Sequence, residues 1–202
     1  MNKRISAVDL FGVFRFVFLS ALIAGCGAKL VPTPGPEEAS DTLVNEDEEI
    51  APNFIQTSDN EDGTYQTIVD AKSHDFWVLF AFNTSDEVGV DDLTDSIDWD
   101  LGFKRYNIIA NGGISGPGET GVAALMDEDF DSVERAPDVE YLFDAEDSDD
   151  EDQDPDYGFL QAGTWYNYNP FDHTLSPKEI VYVIKTTTGQ YFKVSIEDYY
   201  DE

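Results

Sequence analysis

The sequence predicts an all-β fold, a single antiparallel β-sheet domain over residues 63–202. Short runs of β-branched and aromatic residues recur along this stretch, separated by clusters of Gly, Asn, Asp and Ser. Aromatic residues make up 13% of the chain, a large apolar content for strand faces to bury. No segment carries the 3.6-residue apolar period of a long amphipathic helix.

The N-terminus has a different character. Lys3 and Arg4 precede an apolar run from Phe16 to Gly25, broken only by Ser20. That run is shorter than the ~20 apolar residues a membrane span needs, and it suits the h-region of a secretory leader. The basic region before it is long and carries Asp9 and Arg15, which fits a start codon later than Met1. The run ends in Leu22-Ile23-Ala24-Gly25-Cys26, which resembles the lipobox of bacterial lipoproteins. The resemblance implies a signal peptide over residues 1–25 and cleavage before Cys26. It also implies lipid on the Cys26 thiol, with acyl chains such as palmitate anchoring the chain; each buried CH₂ contributes ~0.8 kcal/mol. Gly27, where aspartate signals inner-membrane retention, points by the same resemblance to the outer membrane. Cys26 is the only cysteine, so the domain holds no internal disulfide.

Loss of residues 1–25 removes Lys3, Arg4, Arg15 and Asp9, leaving 8 basic and 42 acidic residues and a formal charge of −34. Such a field repels nucleic acid and anionic headgroups and favours cations. A nucleic-acid role is therefore excluded.

Residues 26–62 read as the lipidated cysteine and a disordered tether, Pro-rich over Val31–Pro36 and acidic over Asn45–Glu49. The strand signals begin at Tyr65–Val69. Phe76–Phe82 is a seven-residue apolar run of buried-strand length, closed by a turn signal at Asn83–Asp86. Asp98–Ile109 reads as one long strand or two joined, with Trp99, Leu101 and Phe103 alternating. Asn111-Gly112-Gly113 suits a tight turn, because Asn and Gly tolerate positive φ. Residues 114–121 are Gly-rich and 127–156 mostly acidic loop. Ile180–Thr186 and Tyr191–Ile196 flank Thr188-Gly189 as a β-hairpin.

Few constellations carry chemistry. Asp150, Asp152, Asp154 and Asp156 alternate, so one face of an extended loop can offer Ca²⁺ several carboxylates. The EF-hand pattern is absent, and a solvated acidic loop explains the same residues. Asn111–Gly118 lacks the Lys-Ser/Thr and the helix of a phosphate cradle. His74 and His173 are the only histidines, without the spacing for zinc or a nucleophile for a triad, so no enzyme is expected. Carboxylate pairs for acid-catalysed hydrolysis are too numerous to single one out.

Asp98-Trp-Asp-Leu-Gly-Phe-Lys-Arg-Tyr-Asn107, followed by Asn111-Gly-Gly-Ile-Ser-Gly116, resembles the HmuY-like family of haem-binding lipoproteins. Val69-Asp70-Ala71 and Trp77-Val78 upstream, Trp165-Tyr166-Asn167-Tyr168, and the hairpin Tyr182–Lys193 extend the resemblance over roughly 64–200. It implies an all-β outer-membrane lipoprotein that holds haem or another porphyrin between two axial side chains and passes it to an outer-membrane receptor. The ligand-bearing stretch, roughly 112–172, contains no histidine here, and its one thioether is Met126. His173 lies just beyond, so His173, with His74 or Met126, makes the candidate ligand set. Lys104 and Arg105 are the nearest partners for haem propionates, and strict strand alternation would set them on opposite faces. The second expectation is a Ca²⁺-stabilised surface binding or adhesion module without haem.

Overall fold

The computed structural model describes residues 11–18, 53–148 and 155–200. These form strands β1 (Phe11–Phe18), β2 (Ile55–Asp59), β3 (Tyr65–Val69), β4 (Val78–Ala81), β5 (Asp86–Glu87) and β6 (Leu101–Lys104). The chain continues with β7 (Asn107–Ala110), β8 (Gly121–Leu125), a short helix α1 (Gly158–Gln161), β9 (Tyr166–Asn169), β10 (Thr174–Pro177), β11 (Val181–Lys185) and β12 (Tyr191–Asp198). The all-β expectation holds. The strands form a six-stranded sheet, β2-β3-β1-β12-β11-β8, a four-stranded sheet, β5-β4-β6-β7, and the separate hairpin β9-β10. Every strand pairing is antiparallel except those of β1, which runs parallel to both β3 and β12.

Strand β11 shows how the layers arise. Four of its five residues are buried, so both of its faces need cover. Tyr182 and Ile184 join Phe192, Val194 and Ile196 in a core shared with Phe80, Leu101, Phe103 and Ile108 of the four-stranded sheet. The outward Val181 and Val183 pack under Val133, Phe130 and Tyr141. The acidic segment after β8 thus lays Phe130, Val133 and Tyr141 on the sheet. The four-stranded sheet is covered in the same way: Leu79, Trp99 and Ile109 lie beneath Val88, Val90 and Leu93.

Two buried carboxylates tie these layers together. Asp100 Oδ2 accepts the Phe82 amide at 2.9 Å, and Oδ1 accepts the Thr187 amide at 3.1 Å and hydroxyl at 3.3 Å. It thereby links β4 to the β11–β12 loop. Asp144 accepts the amides of Ala110 (3.0 Å) and Gly158 (2.6 Å), joining β7 to α1. Burial pushes both carboxyls above their ordinary range, against the opposing pull of these hydrogen bonds. Gly113 lies against the Asp144 backbone with φ +63°; a Cβ there would sit 1.8 Å from the Asp144 carbonyl oxygen.

Several sequence expectations change in detail. Asp98–Ile109 holds two strands, because the chain reverses at Arg105, whose φ is +56°. Ile55–Asp59, read as the end of the tether, is a strand paired with β3; only Ile55 is apolar, so its sequence carries no alternation. Phe11–Phe18, which overlaps the start of the expected h-region, is a strand in the sheet. Strand β8 and the β9–β10 hairpin lie in stretches to which the sequence assigns no strand.

Candidate ligand-binding surface

The one hairpin outside the two packed sheets carries the best-placed candidate ligand. Strands β9 and β10 pair from Tyr166–Pro177 to Asn169–Thr174. His173 closes the turn with φ +60°, and its amide donates to the Asn169 carbonyl at 2.9 Å. The next residue back, Asp172, accepts the Thr174 hydroxyl at 2.6 Å and amide at 3.1 Å, and the hydroxyl bond is the main cause holding its carboxyl below the ordinary range. The His173 ring is exposed, with Nδ1 hydrogen-bonded to the Tyr168 hydroxyl. If Nδ1 carries the proton and donates to that oxygen, the Nε2 lone pair points away from the hairpin and is free to ligate a metal. Phe171, two residues earlier, is 95% exposed.

The base of this hairpin is aromatic. Trp165 is buried and donates its indole N–H to the Tyr106 carbonyl at 2.9 Å. Tyr166 packs edge-on to Tyr106, with ring centroids 5.7 Å apart, and Tyr199 packs on Trp165. Burial raises the phenols of Tyr166 and Tyr199 above their ordinary range. Beside Tyr106 lies a notch of about 300 Å³ lined by His74, Lys104, Arg105, Tyr106 and Asn107.

Strand β6 ends at Lys104, the left-handed backbone of Arg105 interrupts the strand alternation, and both residues line one notch.

The candidate ligands do not converge. His74 lines that notch, with Nε2 2.6 Å from Arg105 Nη1. Met126 is half-exposed and lines a separate groove of about 860 Å³ with Phe130, Lys178 and Glu197. Neither the notch nor the groove includes His173. Neither of these pockets brings together two of His173, His74 and Met126. The physical reason is that each sits on a different connection: β3–β4, β8–η and β9–β10 (η being the 3-10 turn Phe130–Ser132).

Cys26, Asp150, Asp152 and Asp154 lie outside the described residues. Asp156 lies within them, but its carboxylate accepts the Ser148 amide at 3.1 Å and its backbone pairs with Ala145, a loop-closing role. Among the described residues no three His, Cys, Asp or Glu side chains gather where they could hold a metal ion. No described helix is long and apolar enough to cross a membrane.

Sequence reasoning missed Tyr168 as the partner of His173, and it read the Trp-Asp and Asn-Gly motifs only as a signature. The structure gives those motifs a mechanical role. Asn111 donates to the carbonyls of Ser96 and Trp99 at 3.0 and 2.8 Å and accepts the Gly118 amide at 2.9 Å. Trp99 Nε1 donates to the Leu93 carbonyl at 3.0 Å. Trp99 and Asn111 therefore secure the fold.

A solved structure of the apo HmuY analog (TFO) of Tannerella forsythia is 20% identical, covering 68% of this chain and 77% of that one at a TM-score of 0.34. No curated protein matches. The family model described as HmuY protein matches residues 73–202, starting just after Val69-Asp70-Ala71 and taking in both histidines, the Trp-Asp strand and the C-terminal hairpin. With well over half of its length matched, the chain belongs to the HmuY family.

Proposed function

We propose that this chain is a non-enzymatic envelope lipoprotein, anchored through lipid on Cys26 after loss of residues 1–25. It holds haem or another porphyrin for delivery to an outer-membrane receptor. Membership of the HmuY family carries the reading. The exposed His173 imidazole, oriented by Tyr168 and flanked by Phe171, supports it. A porphyrin is a flat apolar disc with a Lewis-acidic centre, and this hairpin offers one nitrogen donor and two exposed aromatic rings, Phe171 and Tyr168. Haem would be the cargo, with the His173 imidazole offered to its iron.

A hemin titration of the full chain followed by visible absorbance tests the cargo. Saturation at one equivalent is expected, with the Soret band lost in His173→Ala and retained in His74→Ala and Met126→Ala. A broad, non-saturating spectrum, as on any protein surface, sinks the reading. The anchor is tested separately: radiolabelled palmitate enters the wild-type chain in cells and not Cys26→Ala.

A further inference from the structure

We propose that the notch formed by His74, Lys104 and Arg105 is an anion site that takes a carboxylate or phosphate group of an aromatic-bearing ligand. The chain has 43 acidic and 11 basic residues, so two adjacent cations that make no ion pair stand out. Lys72 pairs with Asp70 at 3.1 Å and Lys185 with Glu119 at 3.9 Å. Lys104 and Arg105 adjoin each other and make no ion pair with any described residue. Asp75, next to His74 in the chain, is exposed and does not reach either of them.

Both cations are instead held in place by neutral partners. The Lys104 ammonium sits 4.6 Å above the Trp77 ring, and Arg105 Nη1 lies 2.6 Å from His74 Nε2. The Arg105 amide donates to the Ala71 carbonyl at 2.6 Å, which fixes the turn against the loop that carries His74. A guanidinium has five donors in a planar fork, and the His74 contact uses one of them. The remaining fork, in a notch that Lys104 also lines, matches the flat face of a carboxylate or one edge of a phosphate.

Arg105 also carries a left-handed φ that glycine or asparagine would adopt at lower cost. Tyr106, which lines the notch and is 41% exposed, supplies the aromatic half of the ligand class. The distant negative field does not forbid the site. At physiological ionic strength the screening length is ~8 Å, whereas the notch cations act at contact distance. A porphyrin propionate is one source of such a carboxylate, and a free small-molecule anion is the other.

The chain has only two histidines, so its imidazole Cε1–H spectrum has two lines and His173 serves as an internal control. The full chain is titrated with sodium phosphate and with sodium citrate, each against sodium chloride at equal ionic strength and constant pH. The expected result is a saturable shift of the His74 line alone, weakened about tenfold or more in Arg105→Gln and in Lys104→Gln. An unchanged His173 line in each variant shows that the fold is kept. Linear, unsaturated drift of both lines, or saturation that survives Arg105→Gln, overturns the proposal. Hemin and its dimethyl ester, followed by absorbance, then assign the source. Weaker binding of the ester, matched by weaker hemin binding in Arg105→Gln, identifies the propionate. Saturation by phosphate or citrate without hemin binding leaves the site standing for free anions while the porphyrin reading fails.

Discussion

Replacing Asp100 with Ala removes the acceptor for three hydrogen bonds that join two layers of the fold. The Phe82 amide is buried and has no water to turn to, so leaving it unpaired costs about 1–3 kcal/mol. The Thr187 amide is partly buried and costs about 1 kcal/mol, while its hydroxyl can rotate to solvent. Against this, a carboxylate only 4% exposed carries a desolvation penalty that the substitution relieves, offsetting about 1 kcal/mol. The net expectation is a loss of about 1–3 kcal/mol, a sizeable share of the ~5–15 kcal/mol that holds an ordinary domain. The thermal midpoint should fall by roughly 2–12 °C. Urea unfolding followed by tryptophan emission reports the change, because Trp99 adjoins Asp100 and is fully buried. Asp100→Asn should fall between the two: its carbonyl still serves Thr187, but its NH₂ confronts the Phe82 amide. An Ala variant within about 0.5 kcal/mol of wild type would show that the bonds are incidental and refute the keystone role.

Gly113→Ala should unfold the domain or cost more than about 3 kcal/mol, since its Cβ would meet the Asp144 carbonyl at 1.8 Å and its φ is +63°; a midpoint within 2–3 °C of wild type would contradict this. Tyr182→Phe removes a 2.6 Å bond to the Gly163 carbonyl and should cost about 1–2 kcal/mol by urea titration. Asp100 and Asp144 both have raised folded-state pKa values, so their stabilising contribution is complete below the ordinary carboxylate range. That contribution is lost as pH climbs through the raised values. Calorimetry should therefore show the midpoint rising as pH falls from 7 to 5, with the slope reduced in Asp144→Asn; a falling midpoint in that window contradicts the assignment. Asp172 shifts the opposite way, but it is solvent-exposed and adds little.

The parts of the fold legible in sequence were those whose burial is carried by contiguous apolar residues. Val181–Lys185, Tyr191–Ile196 and Tyr65–Val69 lie where β-branched and aromatic runs place them. Strand β2 and the β9–β10 hairpin were illegible because Gln56-Thr57-Ser58 and Tyr166-Asn167-Tyr168-Asn169 are largely polar or half-exposed, and pairing alone makes them strands. The site was less legible still. His173 stood out as one of two histidines, yet its usefulness depends on Tyr168, five residues away across a turn that no periodicity reveals. Lys104 and Arg105 were adjacent in sequence, but the positive φ at Arg105 and the notch that both line were not readable from it.

The leader reading and strand β1 claim the same residues, and their demands differ. If residues 1–25 are removed at Cys26, the six-stranded sheet loses the strand between β3 and β12. Both neighbours run parallel to β1, so they run parallel to each other. Their registers also agree: Tyr65 and Val194 both lie opposite Phe14, and Thr67 and Ile196 both lie opposite Phe16. A sheet that closes by one strand width, ~4.8 Å, would therefore pair β3 with β12 without flipping any residue to the other face. That register match leads to the expectation that the chain from Cys26 onward folds cooperatively, with amides of β12 protected from hydrogen exchange. Urea unfolding of residues 26–202 beside the full chain, both carrying Cys26→Ser, checks it. Midpoints corresponding to stabilities within about 1 kcal/mol, with protected β12 amides, fit a dispensable leader. Loss of the cooperative transition in the shorter chain would mean that β1 is an integral strand, and the leader reading would then have to be given up.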